Sequence, residues 1–569
     1  MQQYRGFKDA HPECVLFFRM GDFYEMFDED ARTVSKAIGL TLTQRGNGID
    51  MAGVPHHAAE GYMRRMVEQG FRVAVCEQLQ DPAEAKGVVE RGITRIVTPG
   101  TLVDESLLTD SQTNLLCAMR CNDKIIHIAV AEISTGLFEL HRVAVDRLDD
   151  ALERLGIAEV IVGEDEETII SVIEHHGISL TKRPAWHFDA TEGAALLKKQ
   201  FGVTTLSGFG IDDDDPIVGV AGAILEYIGV TQASTDAFVH LRTPSLQEGS
   251  DFVSLDATTI RSLEIEQTIR GNSSEGSLLW VMQRCKTAMG KRLLRRWLCE
   301  PLAQRRAIEQ RQAIVEVFAD DATLRSTIQQ SLDQVQDIAR IAGRVATGRV
   351  TPRDVVALGT SLFGCDEIAN ELTGDALKNI SKELTSLATK LKPLAEMITS
   401  RCIESPPTHM RDGGLFVDGF DAELDEARSL QRDAGQWLSN YQAQIVEETN
   451  IGTLKVGYNR VFGYYIEVSR AQAERVPDNF TRKQTLKNAE RYITPELKTF
   501  ENRVLSAESM ALTREQQLFK ELCSSISECI HDIVAFADVI ARLDTLACFA
   551  DVAMLYGYVR PSIDRKSVV

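Results

Sequence analysis

The second half of this 569-residue sequence has the apolar spacing of long helices, interrupted once by a stretch with the spacing of strands. Apolar residues recur at spacings of three and four residues from about 250 to 450, and again from about 494 to 548. Between them, residues 454–470 (LKVGYNRVFGYYIEVSR) have the aromatic and β-branched content of strands. The pattern predicts a small sheet carried between two long helices.

The first half of the sequence mixes strand and helix patterns. Strands are predicted at 71–79 and 94–103, and residues 112–245 alternate strands with helices as α/β layer domains do. A chain of this length exceeds a single hydrophobic core, so several domains are expected. The predicted fold class is multidomain α/β plus all-α. Its boundaries are 1–104 (mixed α/β), 112–245 (α/β), 250–430 with 492–556 (helical) and 431–491 (β-rich insert).

The β-rich insert is basic although the whole chain carries a net charge of −21. Residues 451–491 hold eight basic and four acidic side chains, a net charge of +4. The basic ones are Lys455, Arg460, Arg470, Arg475, Arg482, Lys483, Lys487 and Arg491. Amide and aromatic groups lie among them: Tyr458, Asn459, Phe462, Tyr464 and Asn488. Such a patch suits contacts to nucleic-acid phosphates, and the alternative is an ordinary solvated surface.

Other features of the sequence narrow the class of protein. The eleven cysteines are scattered, with only Cys117 and Cys121 close together, which predicts reduced, mostly buried thiols rather than a zinc site or disulfides. No apolar run reaches membrane-spanning length, and the N-terminus lacks the apolar core of a signal peptide. These features predict a cytoplasmic protein that does not enter a membrane.

Residues 17–31 (FFRMGDFYEMFDEDA) admit two interpretations. In the first, Asp22 caps a helix that begins at Phe23, Glu25 completes a capping box, and three acids suit the positive end of the helix dipole: Asp28, Glu29 and Asp30. In the second, Phe23 is a wedge that stacks between bases and Glu25 accepts a hydrogen bond from a base edge, or takes up a proton. A wedge beside an acceptor would sense how easily a base pair opens.

Several motifs resemble the bacterial MutS family of DNA mismatch-repair proteins: FFRMGDFYEMF, DMAGVPHHA, GFRVAVCEQLQDP, RIVTPGT, LKVGYNRVFGYYIEVS and TLKNAERYITPELK. The resemblance implies that Phe23 stacks on a mispaired base and that Glu25 hydrogen-bonds it. It also implies an RNase H-like connector domain, a helical core with long levers, and a clamp between the levers that grips DNA. The implied partners are duplex DNA with mismatches or small loops, MutL through connector and core, and a second copy of the chain in a nucleoid-associated homodimer.

The resemblance extends to further DNA contacts. It places Arg45 and Met51 in a loop near the DNA, beside the kinked site. In the clamp, the expected contacts to the DNA backbone are Lys455, Asn459, Arg482, Lys483, Lys487 and Asn488.

The family also has a C-terminal ATPase domain that uses ATP and Mg²⁺. No segment fits G-x-x-x-x-G-K-[ST], because Cys285 occupies the first glycine position before AMGKRLL. Residues 557–569 are interpreted as the start of that domain. We therefore expect this chain to have no cofactor, to neither bind nor hydrolyse ATP at the family site, and to self-associate weakly.

Two alternative functions compete with mismatch recognition. Glu25, Asp28, Glu29 and Asp30 could form a carboxylate-dependent metal site for phosphodiester hydrolysis. On a helix, however, Asp30 would not share the face of the other three. A recombination-type paralogue that ignores mismatches is the second alternative, and the Phe23-x-Glu25 pair argues against it.

Overall fold

The computed structural model describes residues 1–46, 48–80, 87–233, 238–247, 251–459 and 463–564. Arg460 and Phe462, two of the predicted clamp residues, lie outside these ranges. The chain divides into two compact units. One comprises Met1–Val350, Thr360–Pro393 and Ile526–Val569, and the other comprises Thr351–Gly359 and Leu394–Ser525. These units are not the predicted domains, whose boundaries stay a prediction.

The first sheet has the strand order β3-β4-β2-β1-β5-β6. Its strands are β1 (Cys14–Met20), β2 (Phe23–Phe27), β3 (Thr43–Arg45), β4 (Ile49–Pro55), β5 (Arg72–Gln78) and β6 (Arg91–Val97). Its helices are α1 (Gln2–Ala10), α2 (Asp28–Ile38) and α3 (Ala59–Glu68). Buried residues of α2 and α3 pack on one face of the sheet, and Tyr4 of α1 packs on the other. The sheet is therefore a middle layer between helices.

The first interpretation of residues 17–31, a helix that begins at Phe23, is wrong, because Phe23–Phe27 is a strand and the helix begins at Asp28. Gly21, with φ of 61°, turns the chain so that Phe23 pairs with Met20. Tyr24 and Met26 are then buried on one face in the period of two that strands impose. The three acids do lie at the positive end of a helix, but that helix is α2, whose first turn they occupy.

The second sheet has the order β11-β10-β7-β8-β9-β12 and confirms an α/β layer structure after residue 112. Its strands are β7 (Leu115–Asn122), β8 (Ile125–Glu132), β9 (Leu137–Ala144), β10 (Ile157–Gly163), β11 (Ser179–Arg183) and β12 (Ser245–Leu246). Its helices are α4 (Leu148–Leu155), α5 (Glu167–His176), α6 (Ala190–Phe201) and α7 (Pro216–Thr231). Helices α6 and α7 bury residues against one face, and α4 and α5 against the other.

The region after residue 250 is mainly helical, as its period predicts. The helices are α8 (Ala257–Ser262), α9 (Leu278–Met282), α10 (Ala288–Cys299), α11 (Arg305–Asp320), α12 (Ala322–Asp333), α13 (Ile338–Ala346), α14 (Pro352–Phe363), α15 (Cys365–Glu371), α16 (Lys378–Arg401), α17 (Ala422–Thr449), α18 (Pro495–Glu528) and α19 (Ile530–Tyr556). Within the described ranges, none of the helices combines the length and apolar content needed to cross a bilayer.

The sequence of residues 277–298 (SLLWVMQRCKTAMGKRLLRRWL) has the apolar spacing of one continuous helix, but the structure breaks it between α9 and α10. The carboxylate of Asp544 accepts hydrogen bonds from the backbone N–H groups of Lys286 and Thr287, at 3.0 and 2.7 Å. The Thr287 hydroxyl in turn accepts from Gly290 N and caps α10. These bonds replace the helical ones at the break.

The third sheet is the predicted insert between the long helices α17 and α18. Its order is β13-β14-β16-β15, with β13 (Lys455–Asn459), β14 (Gly463–Ser469), β15 (Thr481–Thr485) and β16 (Ala489–Ile493). One face packs on the helices through a cluster that contains Tyr441 of α17, Ile466 and Tyr492 of the sheet, and Phe500 of α18. The other face is free of this cluster.

Candidate nucleic-acid interface

Strand register brings the four N-terminal candidate residues to one face of the first sheet. Glu25 lies opposite Gly53 and Phe27 lies opposite Met51, so Phe23, Glu25 and Met51 share a face. Arg45 reaches the same face because β3 pairs with β4, with Arg45 opposite Ile49. Residues twenty positions apart in the sequence therefore become neighbours.

Phe23 is unusually exposed for an apolar residue in a strand, since it is 47% exposed. It is the first residue of β2, where the sheet ends at the turn through Gly21. Its partner Pro55 is the last residue of β4, and His56 N donates to Asp22 O at 2.8 Å, which fixes the turn. An apolar ring held on a rigid turn but left half in water is available to stack on a ligand.

The space beside Phe23 and Glu25 is left open by Gly53. A Cβ atom at position 53 would lie 3.9 Å from Glu25 Cγ and 4.0 Å from Phe23 Cδ1, at van der Waals contact. Glycine at position 53 therefore places no side chain against Phe23 and Glu25.

Glu25 has an oxygen without a hydrogen-bond partner among the described residues. Its Oε2 atom is buried, and the nearest cation is Nη1 of Arg45 at 3.8 Å, beyond hydrogen-bond distance. A buried acceptor without a donor costs free energy until it is paired. The Glu25 carboxylate is therefore ready to accept a donor from a bound molecule.

Met51 and Arg45 differ in their surroundings. Met51 is partly buried and packs against the cluster that contains Phe27. The Arg45 side chain is 46% exposed, and its guanidinium lies 5.6 Å from the centre of the Phe27 ring. Arg45 thus adds a positive charge to the face that carries Phe23 and Glu25.

The carboxylates of the alternative metal site do not converge. Glu25 is on β2, whereas Asp30 is buried in α2 and accepts from Tyr4 Oη at 2.6 Å, Lys8 Nζ at 2.8 Å and Leu16 N at 3.1 Å. Burial and the Asp30 charge raise the pKa of Tyr4, so its hydroxyl stays a donor. Asp30 is therefore a structural residue that joins α1, α2 and β1. Among the described residues, the group close enough to hold a metal ion is instead His11, Glu13 and Cys14.

Two clamp candidates lie on the outward face of the third sheet. Val456 and Ile466 pair with each other and face the helices, so Lys455 and Asn459, at odd-numbered spacings from Val456 along β13, face away. Lys455 is exposed and lies opposite Glu467, which pairs with Arg491. The outward face therefore carries a cross-strand row of charged side chains.

Arg482 and Lys483 lie at the opposite edge of the sheet, on β15. The register shifts between Arg482 and Gln484, so Lys483 is an extra residue at a β-bulge. Arg482 Nη1 lies 3.6 Å from Glu490 Oε2. A hydrogen bond from Tyr492 and the charge of Arg482 lower the pKa of the Glu490 carboxyl, which stays ionised and offsets part of the positive charge.

Lys487 and Asn488 are exposed in the turn between β15 and β16. Leu486 N donates to Ala489 O at 2.8 Å and closes this turn. The edge strands β13 and β15 are three strand spacings apart, about 14 Å. The candidates thus fall into two groups at opposite edges of one sheet rather than in one cluster.

A stacked pair on the outward face was not singled out from the sequence. The ring of Tyr465 lies across Gly457, where a Cβ atom would approach it to 3.0 Å. Arg491 lies over the same ring, 4.0 Å from its centre, and pairs with Glu467 at 3.0 Å. A glycine directly across from an aromatic residue is the sequence signal for such an arrangement.

Comparison with known proteins places these elements in a family. Family models match in order along the chain: MutS domain I over residues 1–106, MutS domain II over 114–242 and MutS domain III over 258–550. Three proteins named DNA mismatch repair protein MutS are similar to it over almost its whole length. The one from Salinibacter ruber is 38% identical and covers 99% of this chain. Those from Rhodopirellula baltica and Chlorobium phaeovibrioides are both 40% identical and cover 100% and 99% of it.

This chain spans 63%, 66% and 65% of the lengths of those three relatives. The domain III match alone covers more than half of the chain, and the matches to domains I and II precede it in order. The chain is a member of the MutS family.

Proposed function

We propose that this chain binds duplex DNA at mispaired or looped bases, as the first step of mismatch repair. The observation that carries the proposal is that a half-exposed Phe23 shares one sheet face with a Glu25 oxygen that has no hydrogen-bond partner among the described residues. The relatives' name, DNA mismatch repair protein, supports the same function.

The proposed mechanism uses the difference between the free energy needed to unstack a correctly paired base step and that needed to unstack a mispaired one. Phe23 inserts from the groove and stacks on a base, which unstacks the step and kinks the duplex. Unstacking costs least where pairing is already weak, so insertion favours the lesion. Glu25 then accepts a hydrogen bond from the edge of the displaced base.

The test is equilibrium binding of the chain to a duplex with one G·T pair or one unpaired base, and to its matched twin. Fluorescence anisotropy at one fixed salt concentration should give a preference of about tenfold or more for the lesion. Equal affinity for all duplexes in a folded sample would overturn the proposal.

Glu25→Gln should raise affinity for matched DNA about fivefold, because it removes a negative charge from a surface that approaches phosphates. The preference for the lesion should fall, because a neutral amide accepts a weaker hydrogen bond than a carboxylate. Anisotropy with both duplexes measures the change. Glu29→Gln, an equally conservative change at an exposed acid of α2, should leave both affinities unchanged. An unaltered preference in Glu25→Gln would remove Glu25 from the mechanism.

We propose that the third sheet is a DNA clamp that contacts the backbone. Its net charge of +4 within an acidic chain and the exposure of Lys455, Arg482, Lys483 and Lys487 support this role. Phosphate contacts position the duplex without reading its sequence, so the clamp would hold DNA while Phe23 tests it.

Lys487→Ala should weaken binding to lesion and matched duplexes by the same factor, about threefold. It should also reduce the slope of log K against log salt concentration by about 0.9, because one phosphate contact is lost. Titrations at several salt concentrations measure both quantities. Lys382→Ala, which removes an exposed lysine of α16, is the matched control and should change neither. A selective loss of lesion binding in Lys487→Ala would contradict a backbone contact.

We also propose that MutL docks on the second sheet and the helical region, as the resemblance implies. A cleft of about 1150 Å³ on the second sheet supports this, because the Trp186 ring at its rim is 66% exposed and lies 3.5 Å from the His187 ring, centre to centre. Trp186→Ala should weaken MutL binding about tenfold, as aromatic anchors of interfaces do, and leave DNA binding unchanged. Sedimentation of a mixture of this chain and MutL measures the change in MutL binding. Undiminished MutL binding would exclude Trp186 from the contact.

A further inference from the structure

Arg45 and Glu25 form an ion pair that differs from the one between Arg32 of α2 and Asp50 of β4. Arg45 Nη1 lies 3.8 Å from Glu25 Oε2, too far for a hydrogen bond. The Arg45 guanidinium is otherwise placed by soft contacts, with Nη1 3.8 Å from Met20 Sδ and its centre 5.6 Å from the Phe27 ring. By contrast, Arg32 Nε donates to Asp50 Oδ2 at 2.6 Å. Charge, rather than directional bonding, holds Arg45 beside Glu25.

The position of Arg45 also leaves it easy to displace. It is the last residue of β3, a three-residue strand at the edge of the sheet that pairs on one side only, with β4. Its side chain is 46% exposed, whereas the Glu25 side chain is 23% exposed. A long side chain on an edge strand can rotate away without disturbing the buried layers.

Resting on the function proposed above, we infer that Arg45 is an exchangeable counter-ion of Glu25. In the free protein it neutralises the carboxylate and lies beside the buried Oε2 atom. When DNA arrives, the guanidinium transfers to a backbone phosphate, which offers the bidentate partner that Glu25 does not. Oε2 is then released toward the base.

The exchange explains how a carboxylate can sit on a surface that must approach phosphates. A bare Glu25 would repel every duplex before any base was tested. With Arg45 beside it, the face is neutral during approach, and the acceptor is exposed only after a backbone contact has formed. Arg45 is thus a positioning residue that couples backbone binding to base sensing.

A double-mutant cycle tests the exchange on the matched duplex. Arg45→Met keeps most of the stem length and removes the charge, and Glu25→Gln keeps the shape and removes the charge. If Arg45 leaves Glu25 on binding, the free energy gained from its phosphate contact is partly offset by the free energy needed to break the ion pair. Arg45→Met should then weaken binding about threefold in the chain with Glu25 and about tenfold in the chain with Gln at position 25.

Two further measurements accompany the cycle. In Arg45→Met the slope of log K against log salt concentration should fall by about 0.9, because a phosphate contact is lost. Arg32→Met removes a hydrogen-bonded arginine of the same domain and should show no coupling to Glu25→Gln.

The sign of the coupling between Arg45→Met and Glu25→Gln decides whether the proposed exchange is correct. Equal costs of Arg45→Met in the two backgrounds, or a larger cost in the chain with Glu25, would overturn the exchange, and so would an unchanged salt slope. The same titrations with the G·T duplex test the proposed function separately. If the unmodified chain shows no preference for the lesion, the proposed function is contradicted, whatever the sign of the coupling.

Discussion

Phe23→Ala should lower affinity for a G·T duplex about 5- to 150-fold, because stacking of one base on an aromatic ring contributes about 1–3 kcal/mol. Affinity for the matched duplex should change little, since in the proposed function the clamp and not the ring supplies the nonspecific contacts. The free energy of unfolding should fall by about 1 kcal/mol or less, because the ring is already 47% exposed.

Anisotropy titrations and chemical denaturation measure these two effects in the same preparation. Phe363→Ala is the matched control, since it removes a ring that is 62% exposed on α14. The control should leave both duplex affinities as they are. A Phe23→Ala protein that unfolds, or one that loses affinity for both duplexes equally, would show that the ring supports the fold or binds without discrimination.

Phe500→Ala should destabilise the second compact unit by about 3 kcal/mol, the usual cost of deleting a buried phenyl ring. Phe500 is 8% exposed, and its ring is stacked on Trp437 of α17 with 3.7 Å between ring centres. The ring of Tyr464, on β14, meets it edge-on at 5.7 Å. Phe500 therefore joins both long helices to the third sheet, and its loss leaves a cavity where all three meet.

Guanidinium unfolding followed by tryptophan fluorescence measures the loss, since Trp437 reports on this contact. The proposed clamp should loosen with it, so affinity for lesion and matched duplexes should fall together. Phe500→Leu, which keeps most of the volume, should recover more than half of the stability. Wild-type stability in Phe500→Ala would show that the sheet is held on the helices by other contacts.

The sequence pattern predicted the elements with strong periodicity and failed where two weak local signals competed. The hairpin β8–β9 and the insert β13–β14 follow from alternation and turn residues. The segment 23–27 is short and apolar, which fits a helix start or a strand equally well. Pairing with β1 and β4 decided in favour of the strand, and this information lies in distant residues.

The features of the candidate interface divide in the same way, into those that the sequence indicated and those that only the fold brings together. Charge contrast alone indicated the basic insert, and motif resemblance indicated Phe23 and Glu25. The proximity of Arg45 to Glu25 depends on the register of three strands, β3, β4 and β2, and no local pattern contains it. The separation of the clamp candidates onto two edges likewise depends on strand order, which places β15 next to β16 and far from β13.

The measurement that tests the central claim most directly is photocrosslinking from position 23. The photoreactive phenylalanine analogue p-benzoylphenylalanine, placed at position 23, is irradiated with a G·T duplex and with its matched twin, and the crosslinked base is mapped on each strand. The same analogue at position 363 is the control. Wedging by Phe23 predicts crosslinks at the mispaired base or its neighbour, and none at that position in the matched duplex. Crosslinks spread evenly along both duplexes, or none from position 23 while the protein stays bound, would contradict it.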